Sequence, residues 1–261
     1  MRIILLLIFI LGVTAADCAA SPPENEEFQA INIMAASSLT EVMTEIIREY
    51  SAKNGVSIAA VYDSPPELER RRKDGERADI FISESSHWMN DLRQAKLIDA
   101  KSIAPIAGNQ LAVVEPSGHA VKSLAKKQPV ENLLDNLSAR LFVMADYNND
   151  PLGIYSKMAL DDIGLFEKAK ENIIRASDSV DAVYLISTEN VPGIVYYSDA
   201  WHNPDLQILA VLPEKFYEPV IYNAALAEGE NMPQAQGFLG FLKSPESRKL
   251  FEKYGFSAAS Q

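Results

Sequence analysis

From Ile31 onward the chain alternates between short apolar runs rich in β-branched residues and longer segments with helical spacing. The strand-like runs are INIMAA (31–36), VSIAAVY (56–62), ADIFIS (78–83), NQLAVVEP (109–116), RLFVMAD (140–146), GIVYYS (193–198), LQILAVLP (206–213) and VIYNAALA (220–227). Such alternation predicts an α/β fold with largely parallel sheets. The helix after the first strand is the most legible. Leu39, Val42, Met43, Ile46, Ile47 and Tyr50 fall on one face, and Asn54-Gly55 supplies a stop.

Helix starts recur just past strand ends. Ser38-Leu39-Thr40-Glu41 and Ser64-Pro65-Pro66-Glu67 both read S-x-x-E, the pattern of a capping box. Asp150-Pro151 sets a cap residue and an N1 proline before Leu152 and Gly153, and Ser177-Asp178-Ser179-Val180 precedes another helical segment. Ligands of open α/β sheets sit beyond the carboxyl ends of the strands. Helix N-termini there carry unpaired N–H groups and about half a positive charge, so several aimed at one point make an anion site.

Composition narrows the field. Of 261 residues, 48% are hydrophobic and 23% charged, which is enough for one large domain or two small ones. A net charge of −12 disfavours nucleic acid as a partner. The one basic run, Arg70–Lys73, is flanked by Glu67, Glu69, Asp74 and Glu76 and reads as a solvated helix face. Residues 1–20 have the basic start, apolar run and small-residue junction of a signal peptide, and 21–29 form a polar lead-in expected to be disordered. Cys18, the single cysteine, lies at that junction; it leaves no internal disulfide, and lipidation there is a secondary expectation to soluble export. His87, His119 and His202 lack metal-ligand spacing, and there is no G-x-S-x-G nucleophile motif.

The segments AASSLTEVM, ADIFISESSHWMNDL, GNQLAVVEP, DPLGIYSKMAL, GIVYYSDA and FLKSPESRKLFEKYGF, in that order over residues 30–256, resemble the periplasmic molybdate-binding proteins of ABC uptake systems. The resemblance implies a type II periplasmic-binding-protein fold. Each of its two α/β lobes has a mixed sheet, and the ligand lies in the cleft between them. Lobe one would span 30–110 and 219–261, and lobe two 111–218. It implies oxyanion contacts from Ser38, Leu152, Val180 and Tyr196, with Ser37 and Tyr197 as lesser candidates. The Leu152 and Val180 contacts would be through backbone N–H, their side chains packing as ordinary apolar groups. The family's second-strand serine aligns with Pro65, which has neither N–H nor hydroxyl, so Ser64 is the candidate donor in that turn. Asp63 brings a carboxylate close to the expected dianion and is expected to point away.

The resulting expectation is an exported, periplasmic, monomeric binding protein without a cofactor, capturing molybdate and tungstate for a membrane permease. One alternative is the same scaffold retuned to another oxyanion because of Pro65 and Asp63. Alternatives of other classes are an enzyme using Ser38 or a sensor that docks on a receptor.

Overall fold

The computed structural model describes residues 30–118, 128–228 and 233–259. The signal-peptide and lead-in expectations, Cys18 and His119 lie outside the described residues.

The chain first lays down β1 (Ile31–Ala36), α1 (Thr40–Asn54), β2 (Ile58–Asp63), α2 (Pro65–Lys73), β3 (Ile80–Ser83), α3 (Ser86–Gln94) and β4 (Ala104–Asn109). It then crosses into β5 (Leu111–Pro116), α4 (Val130–Ser138), β6 (Phe142–Ala145), α5 (Pro151–Asp162), α6 (Phe166–Ala169), β7 (Ile173–Ala176), α7 (Ser179–Glu189), β8 (Gly193–Tyr196), α8 (Tyr197–Ala200) and β9 (Leu206–Val211). It returns through β10 (Val220–Leu226) and ends in α9 (Pro233–Leu242) and α10 (Pro245–Lys253).

Two five-stranded sheets result, in the orders β2-β1-β3-β10-β4 and β7-β6-β8-β5-β9. Both are mixed, as the resemblance implies, with a single reversed strand in each. Four strands of each sheet run in one direction, and β10 and β5 enter antiparallel to their neighbours on both sides. These two are the strands with which the chain arrives after each crossing, and their direction is set by where the crossing ends. Two strands missed in the sequence, β4 and β7, complete the sheets.

Period-2 alternation places helices on both faces of the first sheet. Ile31, Ile33 and Ala35 of β1 face the large core that includes Val42, Met43 and Ile46 of α1. Met34 of β1 and Phe81 of β3 point the other way, to a smaller core with Leu68 of α2, and Met89 and Leu92 of α3. Each fully buried side chain of this size contributes about 1.5–3 kcal/mol relative to exposure. α1 stops at Asn54 because Gly55 adopts φ +68°, the left-handed conformation that a Cβ disfavours. Five-stranded sheets covered by helices, with two crossings between them, make a two-lobed fold whose strand ends meet across a cleft.

Candidate functional site between the lobes

Ala36 and Asp63 are register partners at the carboxyl ends of β1 and β2, so Ser37-Ser38 and Ser64 emerge side by side. β3 ends at Ser83 and is followed by Glu84. From the second sheet, β6 leads through a short turn to Asp150, β7 leads to Asp178-Ser179, and β8 ends on Tyr196. The two sets meet. Ser37 Oγ and Ser179 Oγ lie 3.5 Å apart, the Tyr196 hydroxyl donates to Glu84 Oε1 at 3.3 Å, and the Tyr155 hydroxyl donates to the Glu84 carbonyl at 3.1 Å. Asn109, at the first crossing, donates to Ser198 Oγ of α8 at 2.8 Å and to the Tyr222 hydroxyl of β10 at 3.3 Å, tying the two lobes together beside the crossing.

The Ser38 region departs from the capping-box expectation. A 3₁₀ turn, Ser37–Leu39, precedes α1, whose N-cap position is Leu39 without a side-chain bond. Thr40 Oγ1 donates to the Ser37 carbonyl at 2.6 Å, and Glu41 is exposed. Ser38 Oγ is therefore free of capping and pairs with the Tyr222 hydroxyl at 2.8 Å. Ser64 occupies the N-cap of α2 but makes no side-chain cap bond either; Pro65 behind it is buried.

The other candidates differ in how their donors are used. Leu152 is fully buried, and its N–H donates to Asp150 Oδ1 at 2.9 Å. At the start of α7 the Asp178 carboxylate accepts the Asp181 N–H at 2.9 Å, one residue beyond Val180, and Val180 is 53% exposed, where apolar packing is expected. Tyr196 is fully buried with its hydroxyl on Glu84. Tyr197 donates its N–H to the Gln110 carbonyl at 2.7 Å and sets its ring against Trp201, 5.2 Å between centroids. A cavity of about 460 Å³ is lined by Ser37, Ser38, Val180, Asp199, Trp201 and Tyr254 among others. Leu152 and Tyr196 are not part of its lining.

Asp63, the residue expected to repel a dianion, is held by Arg71 at 3.1 Å and accepts the Ser64 N–H at 2.9 Å. One member of the basic run is thus turned to a carboxylate at the strand end, while Arg70 pairs with Glu67 and Asp74 on the solvated face.

The sequence reading missed the acids. Glu84 is buried, and desolvation, opposed by its own backbone and by the Tyr196 hydroxyl, pushes its carboxyl up to about 7. Burial also pushes Asp150 well up, helped by the nearness of Glu84 and Asp178. Asp178 is raised by burial as well, and Asp199 strongly so. The signal for Glu84 was present: it directly follows a strand end, the same position that singled out Ser37 and Ser64. Among the described residues no group of acids, histidines or cysteines is arranged to hold a metal ion.

Two α/β lobes whose strand ends, helix starts and hydroxyls face one another across a cleft define the class of two-lobed proteins that close on a small solute. The chain belongs to the bacterial extracellular solute-binding protein family, whose model matches residues 31–257. It is 31% identical over 228 residues to the molybdate-binding protein ModA of Escherichia coli K12, covering 87% of this chain and 88% of that one. A putative ABC transporter substrate-binding lipoprotein of Bacillus subtilis, YvgL, is 26% identical over 96% of this chain and 97% of its own. The periplasmic molybdate-binding protein of Azotobacter vinelandii superimposes with a TM-score of 0.77 at 16% identity, over 88% of this chain and all of that chain. This is a family of solute carriers rather than enzymes, and a bound oxyanion is cargo rather than a cofactor.

Proposed function

We propose that the protein captures molybdate, and tungstate with it, in the cleft between the lobes and delivers it to the membrane permease of an ABC transporter. The observation that carries this reading is the meeting of the Ser37 and Ser179 hydroxyls between the lobes, with Ser37 and Ser38 lining the cavity there, in a chain 31% identical to a molybdate-binding protein. Residues 30–110 and 219–261 form lobe one in this reading and 111–218 lobe two. Ser38 and Tyr196 contact the anion through hydroxyls. The N–H groups of Leu152 and Val180 join them, that of Leu152 once the Asp150 carboxylate yields, Ser64 supplies the second-strand hydroxyl, and Ser37 adds a lesser contact. Pro65 contributes shape alone. Tyr197 takes no part, because its ring is committed to Trp201. The protein acts as a monomer in the periplasm, exported by residues 1–20, with no part for nucleic acid.

A second reading, the same scaffold serving a different oxyanion, is favoured by one feature: Glu84 and Asp150 stand where a donor-only pocket would have none. Isothermal titration of the mature protein against molybdate, tungstate, sulfate and phosphate separates the two. Heat from molybdate and tungstate at micromolar protein is expected. Silence with both, and heat from sulfate or phosphate, would replace the first reading with the second.

A further inference from the structure

Glu84 is a buried carboxyl where the two lobes meet, with one oxygen unsatisfied. Oε1 receives the Tyr196 hydroxyl at 3.3 Å, whereas Oε2 is buried and has no hydrogen-bond partner. Only 4% of the residue is exposed. An unpaired buried carboxylate oxygen costs several kcal/mol, so such a group persists where it has a second task or carries a proton. The groups facing it come from every element around it. Tyr155 and Asp150 belong to the start of α5, Asp178 caps α7, Tyr196 ends β8, Asp199 lies in α8 and Tyr222 in β10. All are acids or phenols, and none of them is a cation to hold Glu84 ionised.

Position settles which task fits. Glu84 leaves the end of β3, the strand beside β1, so it stands next to the Ser37-Ser38 turn. It also takes the hydroxyl of Tyr196, one of the donors expected to serve the anion. A bare carboxylate there would repel a dianion. A carboxylic acid there has an O–H to donate, and its free oxygen is the place from which to donate it.

We propose that Glu84 is a specificity-determining residue that makes the site take its oxyanion together with one proton, shared between the Glu84 carboxyl and an oxygen of the anion. The inference deepens the molybdate reading and rests on it. The balance is simple. A fully deprotonated dianion enters, one proton comes from solvent onto Glu84 Oε2, and the Oε2–H donates to the anion. An oxyanion that already carries a proton brings its own, donates it to ionised Glu84 and draws none from solvent. Between these, the site discriminates by pH rather than by size. Above neutrality it loses dianion affinity about tenfold per pH unit while keeping that for a hydrogen-bearing anion.

The test is isothermal titration of the mature protein and its Glu84→Gln variant with molybdate, tungstate and phosphate between pH 6 and 8.5. Each point is repeated in two buffers of different ionisation enthalpy to count protons. For the wild type at pH 8, uptake of close to one proton per molybdate and a tenfold weakening per unit above neutrality are expected. In E84Q both effects vanish, and molybdate binds at pH 8 more tightly than in the wild type. Heat from molybdate with the same proton count and pH profile in both proteins overturns the inference and leaves the molybdate reading standing. Heat from none of these anions in either protein removes that reading and the inference together. Glu84→Ala is run beside E84Q. A pH profile that is flat in both variants assigns the effect to the carboxyl, and one that persists in E84A overturns it.

Discussion

At the scale of the residue, the site is a contest between donors and the acids that already occupy them. Ser38 escapes the contest because the 3₁₀ turn relieves it of capping, leaving its hydroxyl on Tyr222. If Ser38 holds the anion as proposed, Ser38→Ala removes one charge-assisted bond, about 1.5–3 kcal/mol, so molybdate affinity is expected to fall roughly ten- to a hundredfold by titration calorimetry. Thermal stability should barely change, since Tyr222 keeps Asn109 as a partner. Glu84 carries a pH signature in stability as well. Burial raises its carboxyl from 4.5 to about 7 in the folded chain. Folding therefore favours its protonated form: that contribution is whole below about 4.5 and is lost as pH rises through about 7. Glutamine at 84 cannot ionise. E84Q should thus gain on the wild type across this window, by about 3 kcal/mol at pH 8, in urea melts of ligand-free protein.

At the scale of the element, α5 shows how tightly a helix start is set against a strand end. A Cβ on Gly153 would lie 2.4 Å from the Asp146 carbonyl carbon and 2.5 Å from the Ala145 carbonyl oxygen. These are backbone atoms, which have little room to give. Gly153→Ala should push the first turn of α5 off β6 and cost about 1–3 kcal/mol in denaturant unfolding, and, if the Leu152 N–H serves the anion as proposed, weaken anion binding as it moves. The elements that carry this geometry were legible to different degrees. α1 was readable because its apolar face and its Gly55 stop are local features. β4 and β7 were not. IAPIAGN and IIRA are short, carry a proline or an arginine, and become strands only because neighbours offer them an edge to pair with. The capping boxes failed for a related reason: S-x-x-E records an option, and at Ser38 tertiary contact with Tyr222 takes the hydroxyl first. The candidate donors are named from the positions of strand ends, whereas the acids beside them acquire their character from burial, which no local pattern encodes.

At the scale of the molecule, the two sheets repeat one plan, three parallel strands, one reversed strand and an edge strand that resumes the common direction. They are not assembled alike. β5 to β9 are contiguous in sequence, so the second sheet holds all its own strands. The first sheet has β10 between β3 and β4, brought from the far end of the chain. A chain terminated after Glu218 should leave lobe one without cooperative structure while lobe two keeps its own. This would be read as a loss of circular dichroism beyond the missing residues' share and as dye binding to exposed apolar surface. During synthesis the half encoded first is thus the half completed last. Until the final forty-odd residues leave the ribosome, β3 and β4 present two bare, sticky margins to whatever is nearby. The nascent protein therefore needs a guardian for lobe one long after lobe two has settled.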